Sequence, residues 1–201
     1  MTRIAIIIGS TRKTRFADKP AKWIFDLARA RDDMEVELVD IRDFDLPFFN
    51  EAASNLWTSS TSANAVRWQK KLAEFDGFVF VTSEYNRSVP ASLKNALDQA
   101  YTEWVKKPMA VMAYGSVGGA FAADHLRTIA IELQMVPTRF AVHVGGRDFM
   151  TVHPMGGNEP MSAIEDVILP GAKAMLENLV WWAELTKKGR QADAQAQALA
   201  A

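Results

Sequence analysis

The fold is decided by the segment Ile4-Ala5-Ile6-Ile7-Ile8-Gly9-Ser10-Thr11-Arg12-Lys13-Thr14-Arg15. Its first five residues are apolar and four of them are β-branched, which is typical of a strand buried on both faces at the centre of a parallel sheet. A polar loop begins at Gly9 and leads into residues 16–25, which have helical periodicity. A loop between a strand and a helix start brings hydroxyls, backbone N–H groups and the positive end of the helix together. The segment therefore predicts an anion site that suits a phosphate.

This loop carries neither of the common nucleotide-binding motifs. A P-loop requires Gly-Lys-Ser/Thr and the dinucleotide fingerprint requires three spaced glycines, whereas this loop has a single glycine. The hydroxyls of Ser10, Thr11 and Thr14 remain as phosphate ligands. So do Arg12 and Arg15, whose planar guanidinium groups can each donate two hydrogen bonds to a terminal phosphate. Two arginines would balance a phosphate monoester, so ATP and an NAD held in the Rossmann manner are disfavoured; the alternative is a solvated basic loop.

The composition excludes several classes of chemistry. The 201 residues suffice for one domain with a full hydrophobic core. A formal net charge of −1 provides neither the basic surface that nucleic acid requires nor a strongly acidic surface for docking cationic redox partners. The chain has no cysteine, which excludes disulfides, thiolate metal ligands, iron–sulfur clusters and a cysteine nucleophile. Redox chemistry would therefore need a bound cofactor.

The hydropathy pattern and the ends of the chain bear on location and domain organisation. No apolar run reaches the length of a membrane span, and the first residues enter a strand without a signal-peptide pattern. We therefore expect no membrane partner and a cytoplasmic location. We expect a single domain over residues 1–188, and a disordered tail over residues 189–201, which have few apolar side chains to bury.

Two further polar loops follow segments that resemble strands. The apolar segment at residues 77–82 is followed by Ser83-Glu84-Tyr85-Asn86-Arg87-Ser88-Val89-Pro90, in which Ser88 is a candidate N-cap for the next helix. The strand at residues 109–113 is followed by Tyr114-Gly115-Ser116-Val117-Gly118-Gly119, whose three glycines permit a sharp bend or the close approach of a flat ligand. Each loop repeats the order of strand end, polar loop and helix start.

The order of elements predicts the architecture. Five strands, including a second at residues 35–41 and a fifth at residues 138–144, alternate with helices, which indicates a parallel sheet with helices on both faces. Ligands bind such sheets outside the carboxyl ends of the strands. Because all three polar loops follow strand ends, we expect them to meet at one site. The irregular segment at residues 42–65 is either a lid or binding wall, or a surface crossover.

With these loops, the chain resembles the NAD(P)H-dependent FMN reductase family. The resemblance is carried by Gly9–Arg15, by Glu84–Pro90 with Leu93-Lys94-Asn95-Ala96-Leu97-Asp98, and by Tyr114-Gly115-Ser116 with Gly118-Gly119. Leu46-Pro47-Phe48 and Leu179-Val180-Trp181-Trp182-Ala183 also fit, so the resemblance covers nearly the whole chain. It implies a flavodoxin-like fold, a three-layer α/β/α sandwich whose five-stranded parallel sheet has the order 2-1-3-4-5.

The resemblance also implies which residues bind the cofactor, FMN. The candidates are Ser10, Arg12, Arg15 and Phe16 around the phosphate, Glu84, Tyr85, Asn86 and Arg87 along the isoalloxazine ring, and Tyr114, Gly115, Ser116 and Gly118 along the other edge of that ring. Members of the family usually form homodimers, often dimers of dimers, with the flavin near the subunit contact and the helix after Pro90 in the interface.

The activity that the resemblance implies is hydride transfer from NADPH or NADH to bound FMN, and then to a flavin, quinone or similar small-molecule acceptor by a ping-pong cycle. The cofactor makes and breaks the bonds, so we name no catalytic side chain. One alternative is a flavodoxin-type electron carrier without NAD(P)H turnover, which the near-neutral charge and the arginine-bearing loop disfavour. A regulatory protein on the same scaffold is a third alternative. The three histidines show no metal-ligand spacing, so we predict no metal site.

Overall fold

The fold is built on a five-stranded parallel sheet. The computed structural model describes residues 1–200. The strands are β1 Thr2–Ile8, β2 Met34–Asp40, β3 Gly77–Ser83, β4 Pro108–Tyr114 and β5 Val136–Val144. Neighbouring strands pair in parallel in the order β2-β1-β3-β4-β5. The predicted parallel sheet and its strand order are confirmed.

Helices cover both faces of this sheet. They are α1 Asp18–Arg29, α2 Ala63–Ala73, α3 Ala91–Asp98, α4 Ala120–Glu132, α5 Gly146–Val152 and α6 Glu165–Ala200. Because side chains alternate across a strand, Ile4 and Ile6 of β1 pack with α1 and α6, whereas Ile7 packs with α2, α3 and α4 on the opposite face. The central strands are thus buried on both faces, which is why they appear in the sequence as continuous apolar runs.

Two local features differ from the sequence predictions. The segment after β5, for which the sequence analysis predicts no helix of its own, contains the short helix α5, which contributes the buried Val152 to the core. A helix of seven residues between glycine-rich segments carries too little periodicity to be recognised in the sequence. Ser88 is not the N-cap of α3, because Pro90 takes that position. The hydroxyl of Ser88 lies instead 2.8 Å from Nδ1 of His125.

The carboxyl-terminal helix is longer than expected. The sequence predicts a disordered tail from residue 189, whereas α6 continues to Ala200. Asp76, just before β3, accepts hydrogen bonds from Lys187 and Arg190 at 2.8 Å each, and these partners are 111 and 114 positions away in sequence. Such distant contacts leave no local pattern, and the Ala- and Gln-rich sequence beyond them has high helix propensity. Within residues 1–200, no helix combines the length and the apolar character needed to cross a membrane.

Candidate functional site

The loops that follow β1, β3 and β4 meet at the carboxyl edge of the sheet, as the strand order requires. They enclose a cavity of about 210 Å³, which we call the strand-end cavity. Of the predicted site residues, Thr11, Thr14, Asn86, Arg87 and Gly118 lie outside its walls, and all the others line it. The site therefore draws on segments of the chain that are about 70 and 100 positions apart, and the parallel sheet brings them together.

The first loop, between β1 and α1, leaves its backbone donors unpaired. The N–H of Gly9 donates the last sheet hydrogen bond to the carbonyl of Val81 at 2.9 Å. A Cβ at Gly9 would lie only 2.9 Å from the side chain of Leu93, so glycine permits the close packing of this loop on α3. From Ser10 to Arg15, no backbone N–H donates a hydrogen bond to another group within residues 1–200. Unpaired N–H groups beside a helix start, with the buried Ser10 among them, form a donor set that suits a phosphate.

Of the two arginines of this loop, Arg12 is the one available to a ligand. Its side chain is exposed at the cavity wall, and Nη1 donates to the hydroxyl of Tyr85 at 3.3 Å. Its other guanidinium donors have no partner in the part of the chain that the structure describes. Arg12 can therefore turn its donors to an anion without breaking any ion pair.

Arg15 is buried and fully engaged by the protein. Its Nε and Nη2 donate to Asp18, its Nη1 and Nη2 donate to Asp40 at 2.8 and 2.6 Å, and Nη1 also donates to the carbonyl of Ser10 at 2.6 Å. These five hydrogen bonds use the whole donor capacity of a guanidinium group. Arg15 lies in the cavity wall but has no free donor for a phosphate, so its expected contact with the phosphate stays a prediction. The structure shows that Arg15 holds the loop, because it ties Ser10 to the end of β2 and the start of α1.

Asp40, the last residue of β2, is the counter-charge in this arrangement. Its carboxylate accepts hydrogen bonds from the guanidinium groups of Arg15 and Arg42 and from the backbone N–H of Arg42. Burial by itself would raise the pKa of Asp40, but these hydrogen bonds outweigh it and lower the pKa to about 2. The ion pair therefore persists at any physiological pH, and it keeps the first loop in one conformation.

The second loop, after β3, is shaped by Glu84 and by a tight turn. The carboxylate of Glu84 accepts hydrogen bonds from the backbone N–H groups of Phe121 and Ala122, at 2.9 and 3.2 Å, and so caps the start of α4. Asn86 and Arg87 form the tip of the turn with φ of 51° and 68°, the pattern of a type I′ turn. Glu84 and Tyr85 thus line the strand-end cavity as expected, whereas the turn carries the next two residues away from it.

Arg87 has a different neighbour from the one that the sequence suggested. Its guanidinium group lies over the ring of Phe121, 3.9 Å from the centroid, which is a cation–π contact. Asn86 and Arg87 were expected to border the ring of the cofactor, and the structure places neither in the cavity wall. Only Glu84 and Tyr85 of this group remain candidates.

The third loop, after β4, is a glycine turn braced from outside the cavity. The buried ring of Tyr114 packs edge to face against Phe16, with 5.0 Å between centroids. Burial raises the pKa of the Tyr114 hydroxyl, so it stays neutral at physiological pH. Gly118 has φ of 73° and faces His143, whose Nδ1 donates to its carbonyl at 2.9 Å. Gly118 therefore shapes the turn and does not line the cavity, contrary to expectation.

Two aromatic wall residues were missed by the sequence analysis. Phe149 and His153, from α5 and the residue after it, pack against Phe16 with centroid distances of 5.6 and 5.2 Å. Burial lowers the pKa of His153, with a smaller effect from the positive charges of Arg12 and Lys19, so its ring is neutral. The only signal that could have found these residues is topological, because the segment after β5 also starts at a strand carboxyl end.

The lining of the strand-end cavity has the chemistry that a flat ring compound with one phosphate requires. The first loop supplies the phosphate donors, while Tyr85, Tyr114 and the glycine turn offer surfaces for a ring. Ser83 is another wall residue, and its hydroxyl is buried. FMN has the shape and the charge that these residues fit. Fold and site together define a flavodoxin-like flavin-binding protein.

Known proteins similar to this chain agree with that class. Residues 2–147 match the model of the family described as NADPH-dependent FMN reductase, and the chain belongs to this family. An NAD(P)H-dependent FMN reductase of Nectria sp. is 30% identical over 197 residues, covering 94% of this chain and 90% of the relative. A second one, of Schizosaccharomyces pombe, is 35% identical over 140 residues, covering 68% of this chain and 70% of the relative.

A solved structure shares the fold. The flavoenzyme NAD(P)H:(acceptor) oxidoreductase FerB from Paracoccus denitrificans superposes with a TM-score of 0.69 and 24% identity, covering 92% of this chain and 99% of that one. The agreement extends over nearly the whole length of both chains, so the flavodoxin-like fold is confirmed.

Proposed function

We propose that this protein is an FMN-dependent NAD(P)H oxidoreductase. It takes hydride from NADPH or NADH and passes electrons to a flavin, quinone or similar small-molecule acceptor in a ping-pong cycle. The observation that carries the proposal is the meeting of three strand-end loops on one cavity that combines phosphate donors with aromatic walls. Membership of the NADPH-dependent FMN reductase family supports it.

The residues of the first loop would hold the cofactor phosphate. The unpaired N–H groups of residues 10–15 and the hydroxyl of Ser10 donate to its oxygens, and Arg12 supplies the positive charge. Arg15 supports these groups as a positioning residue. Since Asp40 and Asp18 already balance the charge of Arg15, the phosphate meets one free arginine and a set of backbone donors.

The aromatic residues and the glycine turn would hold the ring. Tyr85 and Tyr114 provide apolar surface, and the backbone N–H groups of Ser116 and Val117 have no partner within residues 1–200. When bound, FMN supplies the capacity to accept a hydride and to release electrons one or two at a time. Donors aimed at a ring that gains negative charge stabilise that charge without any side chain acting as acid or base.

A rapid-mixing experiment tests this function. The purified yellow protein is mixed anaerobically with NADPH, and separately with NADH, while the absorbance of the bound flavin is followed. Rapid bleaching, followed by recovery of colour on adding a quinone, is the expected result. A flavodoxin-type carrier would keep its colour, and a protein that releases no FMN on denaturation would contradict the cofactor assignment itself.

We also propose a homodimer or a dimer of dimers, in the cytoplasm. The support for assembly is the exposed apolar surface beside the cavity, which includes Val117 and Phe121. Light scattering coupled to size-exclusion chromatography checks the oligomeric state, and cell fractionation checks the location. A monomer at micromolar concentration would contradict the first of these proposals.

A further inference from the structure

A second and larger cavity adjoins the strand-end cavity. It has a volume of about 580 Å³, within the range usual for small-molecule sites, and we call it the outer cavity. The two cavities share Ser10, Arg12 and Tyr85, so the Arg12–Tyr85 hydrogen bond lies where they meet. Its remaining walls come from residues 41–48, after β2, and from the first turns of α3. The cofactor assignment leaves this space without a role.

The wall formed by residues 46–48 is fixed in place. The carbonyl of Pro47 accepts hydrogen bonds from the side-chain amides of Asn95 and Gln99, at 2.9 and 2.7 Å. The backbone N–H of Phe49 donates to the side-chain oxygen Oδ1 of Asn95 at 2.9 Å. Asn95 of α3 and Gln99, the residue after this helix, thus hold the segment on both sides of Phe48. The segment is therefore fixed in place and can serve as a wall of the outer cavity, which favours the binding wall over the surface crossover for this part of residues 42–65.

The charges and surfaces of the outer cavity suit a polyanion joined to a flat ring. The Nε and Nη2 groups of Arg42 donate hydrogen bonds to Asp40, while its Nη1 has no partner within residues 1–200. Arg12, at the boundary with the strand-end cavity, is taken up by the cofactor phosphate, so Arg42 is the cation that the outer cavity offers to a second anion. Asp45 is the only carboxylate in the wall. The ring of Phe48, 82% exposed, offers a face on which a base can stack.

We propose that the outer cavity binds the adenosine diphosphate half of the nicotinamide dinucleotide, with its phosphates on Arg42 and its adenine on Phe48. This inference rests on the proposed function. In that function the nicotinamide lies against the ring held by Tyr85 and Tyr114. The rest of the dinucleotide then has to occupy the surface next to that ring, and the outer cavity shares Tyr85, one of the residues that hold the ring, with the strand-end cavity.

Binding of ADP-ribose, which has no nicotinamide and undergoes no redox reaction, tests the proposal directly. Titration calorimetry on the FMN-loaded protein should show that Arg42→Gln and Phe48→Ala each weaken ADP-ribose binding about fivefold or more. Asp45→Asn should strengthen it, because it removes the one negative charge from the wall. Arg29→Gln removes an exposed arginine that does not line the cavity and should leave the affinity unchanged.

The predicted changes in ADP-ribose affinity have opposite signs, which distinguishes a direct effect at this site from damage to the fold. Such damage would weaken binding in all three cavity variants. Arg42→Gln leaves Asp40 paired with Arg15, so FMN content should be retained, and Phe48→Ala touches no ion pair. Wild-type protein that does not bind ADP-ribose would overturn the proposal. Equal affinities for wild type, Arg42→Gln and Phe48→Ala would overturn it as well.

Steady-state kinetics give a second readout. The KM for NADPH should rise in Arg42→Gln and Phe48→Ala, while the KM for 1-benzyl-1,4-dihydronicotinamide, which lacks the adenosine diphosphate half, should not change. Equal rises for both donors would overturn the proposal, because the effect would then lie at the ring. If neither donor bleaches the flavin of the wild type, the proposed function itself fails, and this outcome is distinct from the others.

Discussion

Replacing Arg15 by methionine tests whether the two arginines of the first loop have different roles, Arg15 in stability and Arg12 in ligand binding. Arg15 donates two hydrogen bonds to the exposed Asp18, two to the mostly buried Asp40 and one to the carbonyl of Ser10. The exposed pair contributes little, at most about 1 kcal/mol. Leaving a buried carboxylate without its main partner costs about 3–5 kcal/mol, and the low end applies because Arg42 still pairs with Asp40. We therefore expect the flavin-free protein to lose about 3–4 kcal/mol of unfolding free energy.

The assay is urea unfolding of the flavin-free protein at pH 7, followed by the fluorescence of its six tryptophans. Arg12→Ala is the matched control, because it removes an exposed guanidinium group from the same loop and should change the stability by no more than about 0.5 kcal/mol. Asp40→Asn completes a double-mutant cycle, in which Arg15→Met and Asp40→Asn should be strongly non-additive. Flavin-free Arg15→Met protein as stable as the wild type would refute the assignment of Arg15 as a structural clamp.

The pH dependence of this difference follows from the lowered pKa of Asp40. The folded-state pKa of about 2 lies below the ordinary value of 3.8, so the unfolded chain takes up the proton first as the pH falls. The stabilisation is therefore fully present above pH 4 and is lost as the pH falls through about 2. The difference in unfolding free energy between wild type and Arg15→Met should be constant from pH 8 to pH 4 and should shrink below pH 4. A gap that closes near pH 6 would point to a group other than Asp40.

Three further predictions concern the cofactor, the glycine turn and a buried lysine. Arg12→Ala should weaken FMN binding by about 1.5–3 kcal/mol, the contribution of a charge-assisted hydrogen bond, and unchanged affinity in a fluorescence titration would remove Arg12 from the site. Gly118→Val should lower both stability and flavin retention, because valine disfavours a φ of 73° and its Cβ would lie 3.2 Å from that of His143. Gly118→Asn should be milder, since asparagine tolerates this conformation, and equal losses in the two variants would argue against backbone strain. Burial lowers the pKa of Lys107 to about 8 from 10.5, so between these pH values the unfolded chain binds a proton that the folded chain does not. The unfolding free energy of the wild type, relative to Lys107→Met, should therefore rise by about 3 kcal/mol from pH 8 to pH 10.5, and a flat difference would contradict the lowered pKa.

The sequence predicted the scaffold well because its signals are local. Ile4–Ile8 and the run after Gly77 are apolar at every position, a pattern that a central parallel strand produces and an edge strand does not. Their polar loops had to meet at the carboxyl edge once the strands were parallel. The candidate residues at this edge, such as Ser10 and Tyr85, could therefore be named from the sequence, and they line the strand-end cavity.

Side-chain partners were harder to predict, because they depend on residues far away in the chain. Glu84 looked like a cofactor contact, yet its carboxylate caps α4, whose first turn is nearly 40 residues further on. Residues 189–200 looked disordered, yet Asp76 anchors α6 through Lys187 and Arg190. In each case the hydrogen-bond partner belongs to an element that is distant in sequence and that only folding brings near.

By itself, the sequence determined the parallel sheet, the edge of the sheet that holds the site and the loops that build it, since periodicity and the order of elements are properties of short segments. The strand order was implied by the family resemblance. Only the tertiary structure decided which arginine is free for a ligand. Arg12 and Arg15 are equivalent cations in the sequence, but Asp40, 25 positions after Arg15, neutralises one of them in the fold. A buried guanidinium group needs a counter-charge and a partner for each donor, and the position of that counter-charge is set by how β2 packs beside β1.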